Sequence, residues 1–493
     1  MEYKSFRKSN LEYTRKKSPR KSPRQPPRKS PGQPPRKSTY KNRNGKEYKK
    51  TEYKKNGGSK INNNSGMDNN SGMDNTNINI NDTSENKITK FVHPIKIYDI
   101  SSIDNDLLDV NTIDTYRINK LDEFKEKLNN TKSKLDEGFK HNKFGIYWRE
   151  FDPFKNEKTI ISKLGNTFNV SNAWIKCYEM INYFNMIPKE TKEFIHFDNA
   201  AFPGSFIVAT HHLVNTQRSW KNKYKWYASS LHDINKTRGA LEDKYKLFNN
   251  YPDNWLMTET NDGDVLSKNN QLDFMKRLNN SVDLYTSDLG FSASDDYNNQ
   301  ELIQAPANIG QIISGLLTLK KGGSFITKQY TIFEPITISA MYATSIFFDE
   351  FYICKPYTSR EANSELYLVG KGFKGNIDIG HPYINAMFDR ISGEIDINIP
   401  IFKQEDYPEE YMNAIIKTAE SVTESQINKI NNDIDRVNKC INGKFKGPSH
   451  LNNYVIEFKK QESPKLESWY YYNPIKPIKK SDMLNMIDGL GQK

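Results

Sequence analysis

The sequence predicts an α/β fold on a central, mostly parallel sheet of seven strands, and three observations carry that expectation. Between residues 170 and 374, short β-rich runs alternate with helical patterns, the order expected when helices cover both faces of a parallel sheet. Residues 282–290, VDLYTSDLG, are an apolar run closed by a carboxylate and a glycine, which reads as a central strand delivering Asp288 to the carboxyl edge of the sheet. Ile309, Ile312, Ile313, Leu316 and Leu317 recur at helical spacing ahead of Gly322 and Gly323, which read as the stop of that helix and the start of the next strand.

Taken in order, residues 91–100 (FVHPIKIYDI) are a strand candidate. Leu121, Phe124, Leu128 and Leu135 then mark residues 119–142 as a surface helix ahead of the main body. Residues 194–198 (FIHFD) read as the first strand of the sheet, followed by the turn NAAFPGSF and a helix through His212. Residues 224–229 and 255–258 supply the next two strands, and 322–330 the strand bearing Lys328. An apolar helix over 335–348 precedes a closing pair of strands at 350–355 and 365–371. Beyond that, Ile427, Ile430, Ile434, Val437 and Ile441 predict a helix over 410–442 that docks on the body, and the aromatic run SWYYYN at 468–473 reads as a core plug. The expected organisation is a basic, Asn-rich arm (1–87), an N-terminal extension with a helix (88–165), the α/β domain (166–375) and a mainly helical C-terminal extension (376–493).

Charge is unevenly spread. The net charge is +12, yet residues 1–60 hold 21 Lys and Arg against 4 Asp and Glu, a surplus of 17, which leaves 51 against 56 for the other residues. That arm, with KSPRKSPR and two copies of QPPRKS, has no apolar periodicity to support a core and is expected to be disordered. Basic arms bind polyanions because the phosphate attraction is electrostatic and needs no fold, although a targeting or solubilising tail has the same composition. Cys177, Cys354 and Cys440 are widely spaced, without a C-x-x-C or a histidine at ligand spacing, so neither a disulfide framework nor a zinc site is expected. No apolar run is long enough to span a membrane, and the N-terminus lacks a signal-peptide core. The expectation is a soluble protein of the cytoplasm, including a viral factory or virion if the source is a virus, or of the nucleus if it is cellular.

Four polar residues on separate segments, Lys176, Asp288, Lys328 and Glu365, are candidates for one site. A hydroxyl is a poor nucleophile, and its attack needs an aligned oxygen and an outlet for its proton. A lysine is mostly protonated at neutral pH, so a lysine base must be desolvated or set beside another cation. Lys328 with Lys176 nearby suggests that arrangement, and Asp288 and Glu365 would orient the two ammonium groups.

These four residues, in this order, resemble the K-D-K-E tetrad of FtsJ-like ribose 2′-O-methyltransferases. Residues 198–206, DNAAFPGSF, resemble that family's D-x-x-A-G-P-G-G-F cofactor turn, with Phe202 and Ser205 in place of two glycines. Residues 351–373, FYICKPYTSREANSELYLVGKGF, are similar to the K-P-x-T-S-R-x-x-N-S-E-x-Y-x-V-x-K-G run of cap-specific members, and GGSFITKQYTIFEP to their G-G-x-F-I-x-K-x-x-x-x-F-x-P. The resemblance spans about residues 165–374. It implies a Rossmann-like, S-adenosylmethionine-dependent methyltransferase in which Asp198, Ala201, Phe202, Pro203, Gly204, Ser205, Phe206, Asp264 and Asp288 bind the cofactor. Asp264 is then the partner of the adenine amino group, by the likeness of N-D-G-D-V to the family's G-D-I-T. Lys176, Asp288, Lys328 and Glu365 would be catalytic, and Ser359, Arg360 and Asn363 would contact RNA, with no metal. The implied substrate is capped mRNA, methylated at the first transcribed nucleotide, with other capping or transcription proteins as candidate partners. Alternatives are methylation of ribosomal or transfer RNA by the same tetrad, or an RNA-binding or virion structural protein that retains the fold.

Overall fold

The computed structural model describes residues 92–95, 113–231, 243–291, 296–375, 377–443, 445 and 447–484. The arm of residues 1–87, with the expectation of disorder made for it, lies outside them. The strands are β1 (Val92–Ile95), β2 (Phe194–Asn199), β3 (Tyr224–Ala228), β4 (Val282–Ser287), β5 (Leu319–Gln329), β6 (Phe348–Cys354) and β7 (Leu366–Phe373). They form one seven-stranded sheet in the order β1-β6-β7-β5-β4-β2-β3. The strands β3, β2, β4 and β5 pair in parallel, whereas β7 is antiparallel to both β5 and β6, and β1 to β6.

The expected count of seven therefore holds with a different member. Residues 255–258 make only isolated bridges, Trp255 to Ala228 and Thr258 to Asn261, while the seventh strand comes from Val92–Ile95. Gly322 and Gly323 also depart from the expectation, because the helix ends at Thr318 and both glycines lie within β5. There the register jumps from Val282↔Leu319 to Leu284↔Ser324, an irregularity that Gly322 accommodates at φ +81°.

Side chains alternate between the two faces of the sheet, as a two-residue period requires. On β7, Leu366 and Leu368 enter one core and Tyr367 and Val369 the other. The first core is covered by α1 (Asn119–Phe139), α4 (Lys268–Leu278), α5 (Gln300–Thr318), α6 (Pro335–Ser345) and α7 (Pro382–Ser392); the second by α2 (Asn172–Tyr183) and α3 (Ser205–Gln217). Helix α1 buries Leu121, Phe124 and Leu128 in that first core, so it is part of the body where a surface helix was expected. Helix α8 (Glu409–Asn442) packs along α1, burying Ile430 and Val437, and α9 (Pro448–Tyr472) inserts Trp469 into the second core. The aromatic run is a plug at Trp469, while Tyr471 is left exposed. Among the described residues no helix is long and apolar enough to cross a membrane.

Candidate active site

The sheet reverses its winding between β2 and β4, and the carboxyl ends of these two strands open the crevice where doubly wound sheets take ligands. A cleft of about 630 Å³ lies there, lined by Lys176, Asp198, Ala201 to Pro203, Ser205, Phe206 and Asp288, among others. Register explains why the polar residues meet. Ser287 pairs with both Asn199 and Thr327, so Asp288 leaves β4 beside Lys328. Because β7 runs against β5, its amino-terminal end reaches the same edge, and Glu365 immediately precedes it.

Lys328 Nζ lies 2.9 Å from Asp288 Oδ1 and 3.8 Å from Glu365 Oε2. Lys176 Nζ donates to both oxygens of Glu365, at 2.8 and 2.7 Å. Tyr367 Oη donates to Asp288 Oδ1 at 2.7 Å and Ser359 Oγ to Glu365 Oε1 at 2.9 Å. Gly290, two residues past Asp288 in the loop, comes so close that a Cβ there would stand 3.3 Å from Lys328 Nζ. The four sequence-chosen residues thus form one cluster of two cations and two anions.

Electrostatics correct one expectation. Burial favours the neutral amine of Lys328, but Asp288 and Glu365 outweigh it and hold the lysine above its ordinary range. Lys176 is paired with Glu365 and does not impose the depression expected of a neighbouring cation. Burial likewise pushes against the charge of Asp288 and of Glu365, yet the two lysines keep both carboxyls below their usual values. Asp198 differs: burial, reinforced by Asp288, drives its carboxyl well above the usual range despite the 2.6 Å donation from Thr286 Oγ1.

The turn of residues 198–206 is built largely from backbone contacts. Ala201 N donates to Ser229 O at 2.9 Å, and Gly204 stands at φ +101° as the residue that opens α3, where a Cβ would collide with Leu247 Cδ1. Ser205 Oγ is held by Ser171 Oγ at 2.9 Å and Tyr245 Oη at 3.2 Å. Phe202 does not simply intrude on the cleft, since its ring stacks on Trp255 at 4.6 Å and lies 5.6 Å from Phe248. The segment read as a strand at Trp255 is instead the seat of this ring. Phe202→Gly should therefore cost about 1–3 kcal/mol of stability and weaken cofactor binding, measured by thermal melting and calorimetry. An unchanged melting point with tighter binding would contradict that placement.

Asp264 lies in the loop before α4, outside the residues that line the cleft. Its Oδ1 accepts from Leu266 N at 3.0 Å, and the neighbouring Gly263 abuts Ser230 at the end of β3. Ser359 and Arg360 turn into the protein, whereas Asn363 is exposed. Ser359 is buried against Glu365, and Asn363 accepts from Lys355 Nζ at 2.6 Å. Arg360 lies over the Trp148 ring at 4.3 Å and pairs with Asp433 at 3.4 Å. A cation in a loop reads as a phosphate ligand when its partner is 73 residues away. Sequence reasoning passed over Glu179, which accepts from Tyr357 N, Thr358 N, Thr358 Oγ1 and Trp469 Nε1. A carboxylate on the apolar run WIKCYEMI was the available signal, since a buried charge must be partnered. No group of three or more His, Cys, Asp or Glu among the described residues is arranged to hold a metal.

The cleft at the switch point of the sheet thus has a glycine-cornered turn on one side and a mixed lysine–carboxylate cluster on the other. Residues 169–373 match the model of the FtsJ-like methyltransferase family. The segment is 39% identical over 231 residues to the "Probable methyltransferase EP424R" of African swine fever virus, covering 45% of this chain and 53% of that protein. An uncharacterized protein of Acanthamoeba polyphaga mimivirus is 37% identical over 232 residues, covering 45% of this chain and 29% of the relative. The cap-specific mRNA (nucleoside-2′-O-)-methyltransferase 2 of Danio rerio is 27% identical over 352 residues, covering 69% of this chain and 46% of that protein. The chain thus spans about half the length, or less, of these relatives.

Proposed function

We propose that this domain transfers a methyl group from S-adenosylmethionine to a ribose 2′-oxygen of capped mRNA, at the first transcribed nucleotide. The observation that carries the reading is the convergence of Lys176, Asp288, Lys328 and Glu365 on one edge of the cleft, with Lys328 Nζ within 3.8 Å of both carboxylates. The chain's likeness to proteins named as methyltransferases, one of them cap-specific, supports the choice of substrate. A working place in the cytoplasm, or in a viral factory or virion, belongs to the same proposal.

The residues of the cleft suit the cofactor. The carboxyl of Asp198, which lines the cleft and accepts from Thr286 Oγ1, offers an acceptor that a cationic ligand would hold ionised, and the conformation of Gly204 opens the amino end of α3. When bound, S-adenosylmethionine supplies an electrophilic sulfonium methyl. The chain's own task is to hold the ribose hydroxyl and dispose of its proton. Lys328, fixed by Asp288 and Glu365, is the group for both: as an ammonium it orients the oxygen, and as an amine it accepts the proton. Lys176 holds both oxygens of Glu365, and Tyr367 holds Asp288 through the same Oδ1 that faces Lys328.

The raised basicity of Lys328 has a measurable consequence. Its amine form is scarce at neutral pH, so single-turnover transfer at saturating cofactor and RNA should climb nearly tenfold per pH unit across roughly pH 6 to 9. A plateau near neutrality would give the proton to another group. The substrate class is tested by transfer of labelled methyl to short RNAs with and without a 7-methylguanosine cap. Label that requires the cap supports the proposal. Equal transfer to both RNAs would favour the ribosomal or transfer RNA reading.

A further inference from the structure

The loop of residues 356–364, which leads into Glu365, spends most of its polar groups on contacts within the protein. At its start, Thr358 N and Thr358 Oγ1 donate to Glu179 Oε2 at 3.0 and 2.7 Å, and Tyr357 N donates to Oε1. Trp469 Nε1, from α9, donates to the same Oε2 at 3.1 Å. In the middle, Arg360 pairs with Asp433 of α8 at 3.4 Å and Glu361 with Lys465 of α9 at 2.6 Å, while Gln426 Nε2 of α8 donates to Ala362 O at 3.1 Å. At its end, Lys355 Nζ binds Asn363 O, Asn363 Oδ1 and Glu365 O at 2.7, 2.6 and 2.8 Å.

Helix α2 meets this loop twice. Lys176 grips Glu365 at the loop's end and Glu179, three residues further along the same helix face, grips Tyr357 and Thr358 at its start. We infer that Glu179 is a positioning residue for the transfer site and that Trp469, Asp433 and Lys465 make the C-terminal helices a working part of it, holding Glu365 in register with Lys176 and Lys328. This rests on the ribose-methylation reading for its activity readout alone.

The physical argument is one of satisfied donors. Glu179 is buried, and burial pushes its carboxyl up against the four donors that stabilise the charge. Removing the acceptor leaves two backbone N–H groups without partners, and the loop must move to find others. Since Glu365 closes that loop, its distance to Lys328, 3.8 Å at present, changes with it. Small displacements of reacting groups cost rate more than they cost binding.

The test uses full-length protein. Glu179→Gln sets an amide NH2 against the loop's N–H donors, and Thr358→Val removes one hydroxyl donor at constant shape. Thr358→Ser is the conservative control that keeps it. The expected result is kcat down by at least about tenfold in Glu179→Gln and severalfold in Thr358→Val, with KM for cofactor and RNA within about twofold. Thr358→Ser should recover the wild-type rate. Hydrogen exchange should show Tyr357 and Thr358 amides deprotected in Glu179→Gln. A kcat that stays at the wild-type value while these amides exchange faster would overturn the inference, as would a Thr358→Ser variant no better than Thr358→Val. Should Glu179→Gln not fold, the Thr358 pair decides alone. If the wild type fails to methylate RNA, the ribose reading falls. The brace is then judged by the Lys176 and Lys328 side-chain NMR resonances, which must shift in Thr358→Val and whose constancy would overturn it.

Discussion

Replacing Lys328 by alanine should reduce methyl transfer by at least about 10³-fold, while the dissociation constant for S-adenosylmethionine changes by less than about twofold. The reasoning is local. Lys328 lies 2.9 Å from Asp288 and 3.8 Å from Glu365, at the edge where the substrate oxygen would sit, whereas the cofactor turn is formed by backbone around Gly204 on the other strand of the crevice. Lys328→Arg should be nearly as damaging, since a guanidinium cannot give up its proton near neutral pH and the close approach of Gly290 leaves little room for it. Rates measured by quenched labelling and affinities by calorimetry separate the two effects. Turnover within about tenfold of wild type in Lys328→Ala would remove the lysine from the chemistry.

Deleting residues 1–87 should leave an enzyme that is active on short capped RNA at low salt but binds RNA weakly and with a shallow salt dependence. Residues 1–60 carry a surplus of 17 positive charges, whereas the rest of the chain has 51 basic against 56 acidic residues. The cations of the candidate site are also committed. Lys176, Lys328 and Arg360 are all ion-paired within the protein, which leaves phosphate attraction to lean on the arm. Each phosphate neutralised on a single strand contributes roughly 0.7 log units per log of salt, so losing four contacts should flatten the slope by nearly three. Fluorescence anisotropy titrations at several salt concentrations measure this directly. An unchanged affinity and slope would assign the arm to targeting or packaging.

What could be read from the sequence was whatever depends on local order. The run VDLYTSDLG and the turn DNAAFPGSF were legible because strand ends and turns carry their own signals, whereas Lys176, inside a helix, and Glu365, before an antiparallel strand, were found through the family resemblance. Long-range choices were not. Nothing in FVHPIKIYDI indicates that Val92–Ile95 pairs with β6, some 260 residues on, and nothing in WLMT shows that Trp255 serves as a seat for Phe202. Arg360 looked outward because its partner Asp433 lies on a helix whose docking site the sequence does not specify. Glu179 was hidden by the same cause, for three of its four donors come from the loop at 357–358 and the fourth from Trp469. Even the electrostatic expectation for Lys328 failed on geometry: the residue types were right, but Lys176 is bound to Glu365, and the carboxylates set the balance.

The most direct test of the account is to locate the transferred methyl group. Capped RNA labelled from S-adenosylmethionine by the wild-type chain, then digested by a nuclease that requires a free 2′-hydroxyl, should yield the label in a resistant fragment containing the cap and the first nucleotide. Label found on a base, on the cap guanosine or on an internal ribose, or none at all, would contradict it.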